Sequence, residues 1–185
     1  MNALLKEVEL RSENPDWKSL EFQTLYFGGG TPSFLSVRQL RRLCDRIKKA
    51  FPWDDAREIT FECEPGTLTA SKLEALRDLG VTRLSLGIEN FDDQILETNG
   101  RAHRSPEIFR AYEEARRLGF PHINVDLISG MVGETDANWT DCIRRVRELS
   151  PDSVTIYQME LPFNTVFSKE MLESQGESPV ADWPK

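Results

Sequence analysis

Apolar positions along the chain follow two alternating spacings, which predict strands and helices in turn. Short apolar runs rich in β-branched and aromatic residues predict buried strands. The predicted strands are 24–27, 58–62, 83–88, 123–128 and 153–157. Longer segments carry apolar residues three or four positions apart, as on the buried face of a helix. The predicted helices are 4–10, 36–51, 69–79, 92–97, 105–118 and a last one that begins at 135 or 136 and ends at 149.

The order of these elements predicts an α/β fold. Most helices between the strands have the length of about 10 to 15 residues that a right-handed crossover between parallel strands needs. We therefore expect about five parallel strands with crossover helices, either as an open doubly wound sheet or as part of a (βα) barrel. Thr69 and Ser105 are predicted helix caps. The pattern ends after Leu161, which predicts a core at 1–167 and a polar tail or linker at 168–185.

Polar residues collect where the predicted strands end. In parallel βα folds the loops after the strands form the ligand site. The turn at 28–32 (Gly-Gly-Gly-Thr-Pro) lets backbone groups approach a ligand closely. Glu62, Glu89, Asp126 and Arg101 are expected to surround it, as a polar ring above an apolar barrel interior. Such a ring suits a ligand with an ammonium group for the carboxylates and a carboxylate for the arginine.

Composition excludes several classes of protein. The net charge of −8 and the lack of a basic stripe argue against a nucleic-acid partner. No apolar run approaches the roughly 20 residues of a membrane span. The first residues are acidic and amphipathic, unlike a signal peptide, so a cytoplasmic location is predicted.

The cysteines and histidines do not form a recognisable catalytic or metal-binding pattern. The spacing of Cys44, Cys63 and Cys142 matches no metal site, and the first and last are interpreted as buried apolar residues. Cys63 lies at a strand end and is left open. His103 and His122 are interpreted as structural or surface residues, because no nucleophile pairs with them. We predict no catalytic residue and no metal ligand in this chain.

Several motifs, in their order and spacing, resemble one family. They are Tyr-Phe-Gly-Gly-Gly-Thr-Pro-Ser at 26–33, Glu-Cys-Glu-Pro-Gly-Thr at 62–67, Arg-Leu-Ser-Leu-Gly-Ile-Glu-Asn-Phe-Asp-Asp at 83–93, Gly-Arg-Ala-His at 100–103, Asn-Val-Asp-Leu-Ile-Ser-Gly at 124–130 and the segment 157–162. Together they resemble the oxygen-independent coproporphyrinogen III oxidase-like group of radical S-adenosylmethionine (SAM) proteins. The resemblance extends from about residue 25 to about residue 167.

The resemblance implies a partial (βα) barrel, truncated at both ends, from a protein that holds SAM and a [4Fe–4S] cluster. It implies an oxidoreductase of haem biosynthesis that acts on a porphyrinogen or another tetrapyrrole and receives an electron from a donor. In the family, cleavage of SAM gives a 5′-deoxyadenosyl radical that abstracts hydrogen from the substrate. A non-enzymatic haem chaperone on the same scaffold is an alternative. An unrelated βα protein with a coincidental polar ring is a third.

The resemblance also assigns SAM-binding positions. Gly29, Gly30 and Thr31 match the motif that holds the SAM amino group. The other matching positions are Glu62 and Arg101 as SAM contacts, Asp126 on the ribose side, Gln158 near the adenine and Glu89 where the family usually has glutamine.

Some positions depart from the family. Cys63 and Glu64 stand where a small residue and asparagine are usual, and Val132 replaces a proline. The Cys-x3-Cys-x2-Cys motif that ligates the cluster is absent, and Met1 falls inside the helix that should follow it. The resemblance therefore implies a truncated chain that is inactive alone, because thiolates hold such clusters. An in-frame cysteine motif encoded upstream of Met1 would establish the truncation.

Overall fold

The computed structural model describes residues 1–17 and 20–160, together with Lys169. The strands are β1 (Thr24–Phe27), β2 (Glu58–Cys63), β3 (Arg83–Glu89), β4 (His122–Ser129) and β5 (Ser153–Gln158). The helices are α1 (Asn2–Ser12), α2 (Val37–Ala50), α3 (Ala70–Asp78), α4 (Asp93–Thr98), α5 (Ser105–Arg117) and α6 (Asp136–Leu149). Apart from Lys169, the predicted tail at 168–185 lies outside the described residues. No described helix combines the length and the apolar character needed to cross a bilayer.

The five strands form one parallel sheet in the order β1-β2-β3-β4-β5. This confirms the predicted α/β fold with five parallel strands. A doubly wound sheet reverses its strand order at a switch point, whereas a barrel adds each strand beside the last. The sequential order therefore favours the partial barrel. Right-handed crossovers in this order place all helices on one side, so the sheet has an outer helical face and an inner face.

Local capping contacts fix where the helices begin. Ser36 caps α2 by accepting a hydrogen bond from the Gln39 backbone, and the Gln39 side chain accepts one from the Ser36 backbone. Thr69 caps α3, as predicted. Ser105 was expected to cap α5, and this is wrong by one residue. The Ser105 backbone N–H donates instead to the Asp93 carboxylate at 2.7 Å, and the residue before it takes the cap position.

The outer face carries the apolar core. Phe61, Leu84 and Ile123 lie side by side in register on β2, β3 and β4, and each is almost fully buried. Leu76 of α3 and Ile108 of α5 belong to the same cluster. Burying such side chains contributes about 1.5 to 3 kcal/mol each, so this face supplies much of the stability of the sheet.

The inner face is polar, and the expectation of an apolar barrel interior is wrong. Glu62, Ser85, Asn124 and Ser153 lie side by side in register across four strands. Successive side chains on a strand point to opposite faces, so most apolar residues of the strands go to the outer face. The residues between them face inward and are mostly polar, although Ile128 of β4 also lies on this inner face.

Candidate functional site

The carboxyl ends of the strands surround a cavity of about 260 Å³. Six of the eight predicted SAM-binding residues line it: Gly30, Thr31, Glu62, Glu89, Arg101 and Asp126. Gly29 lies beside the cavity and donates its backbone N–H to Glu62. Gln158 lies at the exposed end of β5, outside the lining. The parallel sheet thus brings together residues that are far apart in sequence.

Each glycine of the turn at 28–32 has its own physical requirement. A Cβ on Gly28 would lie 2.5 Å from Cε1 of Tyr26 and 2.9 Å from the carboxyl carbon of Glu62, so no side chain fits. Gly29 and Gly30 have open space around them but adopt φ of 82° and 59°, the left-handed region that glycine populates easily. The turn therefore runs close against Glu62 while its backbone stays accessible.

Two donors fix the carboxylate of Glu62. The Tyr26 hydroxyl donates to Oε1 at 2.6 Å, and the Gly29 backbone N–H donates to Oε2 at 3.0 Å. The hydrogen bond to Glu62, with some burial, raises the pKa of Tyr26 to about 12, so this hydroxyl remains a donor at neutral pH. Sequence reasoning missed Tyr26, although its place at an inward position just before the glycines was a usable signal.

Glu89 and Arg101 form an ion pair at the cavity wall. The Glu89 side chain is 12% exposed and that of Arg101 is 39% exposed. Oε2 of Glu89 is buried and contacts Nε of Arg101, so the charge of this guanidinium holds it in place. Burial raises the pKa of Glu89 despite the opposing effect of Arg101. The cavity wall therefore carries a buried carboxylate paired with a half-buried guanidinium.

The backbone at Glu89 is unusual. Its φ is 67°, and the register between β3 and β4 shifts between Gly87 and Glu89. A left-handed non-glycine residue costs on the order of 1 kcal/mol or more and persists only where its surroundings hold it. The bulge turns the carboxylate of Glu89 to the cavity that this residue lines.

Buried polar side chains hold Asp126 in place. Ser85 donates to Oδ2 and the Asn124 amide donates to Oδ1, each at 2.8 Å. Ser153 donates to the Asn124 carbonyl oxygen at 2.6 Å and so fixes the orientation of that amide. Sequence reasoning did not identify this network, although Ser85, Asn124 and Asp126 all fall on alternate inward positions.

His103 is buried beneath the cavity, with 1% of its surface exposed. Its Nδ1 lies 2.7 Å from Oε1 of Glu64, and its Nε2 lies 3.0 Å from the carbonyl oxygen of Ile88. Burial opposes ionisation of Glu64, but its contacts with His103 and with the backbone of Gly66 and Thr67 hold its pKa below the usual value. The prediction of a structural histidine agrees with this burial.

The described residues do not fit an iron–sulfur cluster. No group of three or more His, Cys, Asp or Glu residues within them could hold a metal ion. Cys44, Cys63 and Cys142 are free, buried and placed on three different elements. Cys63 borders the cavity, but its thiol donates to the carbonyl of Phe61.

Comparison with known proteins gives consistent matches. The sequence profile of the Radical SAM superfamily matches residues 7–146. The chain is 34% identical over 183 residues to the heme chaperone HemW of Bacillus subtilis (strain 168), covering 97% of this chain and 47% of that protein. It is 30% identical over 176 residues to the oxygen-independent coproporphyrinogen III oxidase of Salmonella typhimurium, covering 95% of this chain and 38% of that protein.

The fold matches a solved structure of the same group. The radical SAM enzyme coproporphyrinogen III oxidase (HemN) from Escherichia coli superposes with a TM-score of 0.80 at 32% identity. The match covers 87% of this chain and 37% of that one. The chain thus spans less than half the length of each of these three proteins.

Proposed function

Because the chain belongs to the radical SAM superfamily, we propose that its cavity binds SAM. The observation that carries this proposal is the meeting of three carboxylates and one guanidinium in one cavity at the strand ends, from Glu62, Glu89, Asp126 and Arg101. Carboxylates accept hydrogen bonds from ammonium and hydroxyl groups, and a guanidinium binds a carboxylate, so this lining fits a ligand that brings those groups. SAM carries an ammonium group, ribose hydroxyls and a carboxylate, which match the surrounding charges.

Each of these residues is assigned to one chemical group of SAM. The backbone of the glycine turn at 29–31 and the fixed carboxylate of Glu62 suit the amino group of SAM. Asp126 and Glu89 suit the ribose hydroxyls, and Arg101 suits the SAM carboxylate. Gln158, at the end of β5, is assigned to the adenine side. One electron from the cluster of the whole protein would cleave bound SAM to methionine and a 5′-deoxyadenosyl radical, while this chain orients the ligand and shields it from water.

Equilibrium dialysis with radiolabelled SAM tests this site in the 185-residue chain. Arg101→Gln removes a charge-assisted contact worth about 1.5 to 3 kcal/mol, so we expect a roughly tenfold or greater loss of affinity. Arg110→Gln is the matched control, because Arg110 is exposed on α5 away from the cavity lining. Equal affinity of the two variants, or no saturable binding by the unsubstituted chain, would disprove the assignment.

We propose that the whole protein acts in haem metabolism as a radical SAM oxidoreductase, with a porphyrinogen or another tetrapyrrole as its substrate and an electron donor as its partner. The likeness to coproporphyrinogen III oxidases in sequence and in fold supports this. A cytoplasmic location is part of the same proposal, because sparse free cysteines suit a reducing compartment. We also propose that the 185-residue chain is inactive alone, since its three buried thiols do not fit a cluster.

A haem chaperone is the second candidate, and one observation favours it. The likeness to the Bacillus subtilis heme chaperone is both longer and higher in identity than the likeness to the Salmonella oxidase. Haem titration and an anaerobic coproporphyrinogen decarboxylation assay on the whole protein distinguish the two. Decarboxylation that requires SAM supports the oxidoreductase. Stoichiometric haem binding without decarboxylation supports the chaperone.

A further inference from the structure

The hydrogen bonds around His103 determine where its protons lie. The carbonyl oxygen of Ile88 can only accept, so Nε2 of His103 carries a hydrogen. At Nδ1 the partner is Oε1 of Glu64, whose pKa is held below the usual value, so Glu64 is a carboxylate and also only accepts. An acceptor therefore faces each ring nitrogen, an arrangement that an imidazolium satisfies with two hydrogen bonds.

We propose that His103 is a positioning residue of the SAM cavity, held as an imidazolium that joins Glu64 to the carbonyl of Ile88. The inference rests on the proposed SAM site. His103 lies outside the residues that line the cavity, and with 1% exposure it cannot reach a ligand. Its role is to hold the residues that do line it.

The first residue that it holds is Glu89. Ile88 directly precedes Glu89, and the bond from Nε2 to the Ile88 carbonyl fixes the peptide group that leads into the left-handed φ of 67°. Arg101, two residues before His103, pairs with the Glu89 side chain. The segment 101–103 thus secures both the backbone and the carboxylate of Glu89, which lines the proposed SAM cavity.

His103 also holds the turn after β2, which forms a second side of the cavity. The Glu64 backbone N–H donates to the Ser33 hydroxyl at 2.9 Å, and the Thr67 hydroxyl contacts the same oxygen at 2.6 Å. Ser33 follows the glycine turn directly. Through Glu64 and the carbonyl of Ile88, His103 is therefore connected to the loops after β1, β2 and β3. A change in its hydrogen bonds would disturb three sides of the cavity.

The charges around His103 are mixed. Glu64 and Glu89 favour the imidazolium. Arg101 follows α4, and Arg104, at the start of α5, donates to the carbonyls of Arg101 and His103, so two guanidinium groups oppose it. Lys72 of α3 lies near Glu64 and also opposes it. A neutral ring would present a lone pair to one of its two acceptors, Glu64 or the carbonyl of Ile88, so one of these two hydrogen bonds would be lost.

Nitrogen NMR of the ¹⁵N-labelled 185-residue chain tests the protonation directly. His122 is the only other histidine, and His122→Gln assigns the spectrum and serves as the matched control. We expect both nitrogens of His103 to be protonated at neutral pH. Glu64→Gln keeps the shape of the partner but removes its charge, so its hydrogen bond with Nδ1 of His103 should weaken and SAM affinity at neutral pH should fall roughly tenfold.

The outcomes separate the two proposals. A neutral His103 at neutral pH, or a Glu64→Gln chain that binds SAM as tightly as the unsubstituted one, overturns the inference. His103→Gln, whose two amide hydrogens lie on one nitrogen and do not span the two acceptors, should lose affinity like Glu64→Gln, while His122→Gln should not. If the unsubstituted chain binds no SAM, the proposed function fails and the positioning role with it, whereas the NMR result still decides the protonation.

Discussion

Glu89 carries an electrostatic penalty that a neutral side chain would remove. Its pKa is raised, because burial disfavours the charged form more than Arg101 favours it. The group therefore binds a proton more tightly in the folded chain than in the unfolded one. Its contribution to stability is fully present below the ordinary glutamate pKa of about 4.5 and is lost as the pH rises through the raised folded value.

Glu89→Gln should consequently stabilise the chain at neutral pH. We expect the free energy of unfolding to rise by up to about 1 kcal/mol at pH 7, with the difference vanishing below the ordinary glutamate range. Arg101 is 39% exposed and can turn to water when its partner becomes neutral. Urea unfolding across this pH range measures the effect.

Glu97→Gln is the control for that experiment, since the Glu97 side chain is 74% exposed and should give no such pH-dependent difference. A Glu89→Gln chain that is less stable at neutral pH would mean that the ion pair with Arg101 is net stabilising. The Glu89→Gln variant also tests the proposed SAM site, because glutamine is the usual residue of the resembled family at this position.

At the level of the elements, the sequence predicted all five strands and six helices because local signals sufficed. Amphipathic spacing buries Leu40 and Cys44 of α2 on the core side, and Gly80 ends the turn after α3 with a φ of 87°. The strand order could not be derived from periodicity, because parallel crossovers of this length serve both barrels and doubly wound sheets. The pairing itself settles that choice.

The polar inner face was missed although the alternation was present. β3 and β4 contain so many apolar residues that the pattern suggests burial on both faces, and only the strand ends stand out as polar. Ser85 and Asn124 sit between these apolar positions and hold Asp126 from below. Which polar residue bonds which carboxylate depends on register across strands, and one sequence alone does not determine register.

One departure from the family has a local explanation. Val132 stands where a proline is usual, and its backbone N–H donates to Oδ1 of Asn99 at 3.1 Å while its carbonyl accepts from Nδ2 at 2.9 Å. Proline has no N–H to offer. The turn after β4 is therefore fixed by Asn99 of the segment after α4 in place of a rigid ring.

Over the whole molecule, the described residues form one side of a barrel. Among the described strands β1 and β5 each pair with one neighbour, and Val154 and Ile156 on the outer face of β5 are 41% and 52% exposed. The cavity lies on the inner face of this open sheet, so within the described residues its ligand groups come from one side. SAM affinity in this chain should therefore depend on the charged residues that line the cavity on this face, Glu62, Glu89, Arg101 and Asp126.

Iron and sulfide reconstitution examines the chain as a whole. A [4Fe–4S] cluster needs thiolates that converge on one point. Burial raises the pKa of Cys44 and of Cys142 to about 11, and it raises that of Cys63 further, so all three stay protonated at neutral pH on three separate elements. We expect no stable cluster absorbance and no SAM cleavage under anaerobic reducing conditions.

Replacing the three cysteines by alanine provides the matched baseline, and the unsubstituted chain should retain no more iron than this variant. A cluster that forms in the unsubstituted chain and is lost in the variant would show that these thiols converge after unfolding of their local contacts, and the proposal that the chain is inactive alone would then be wrong.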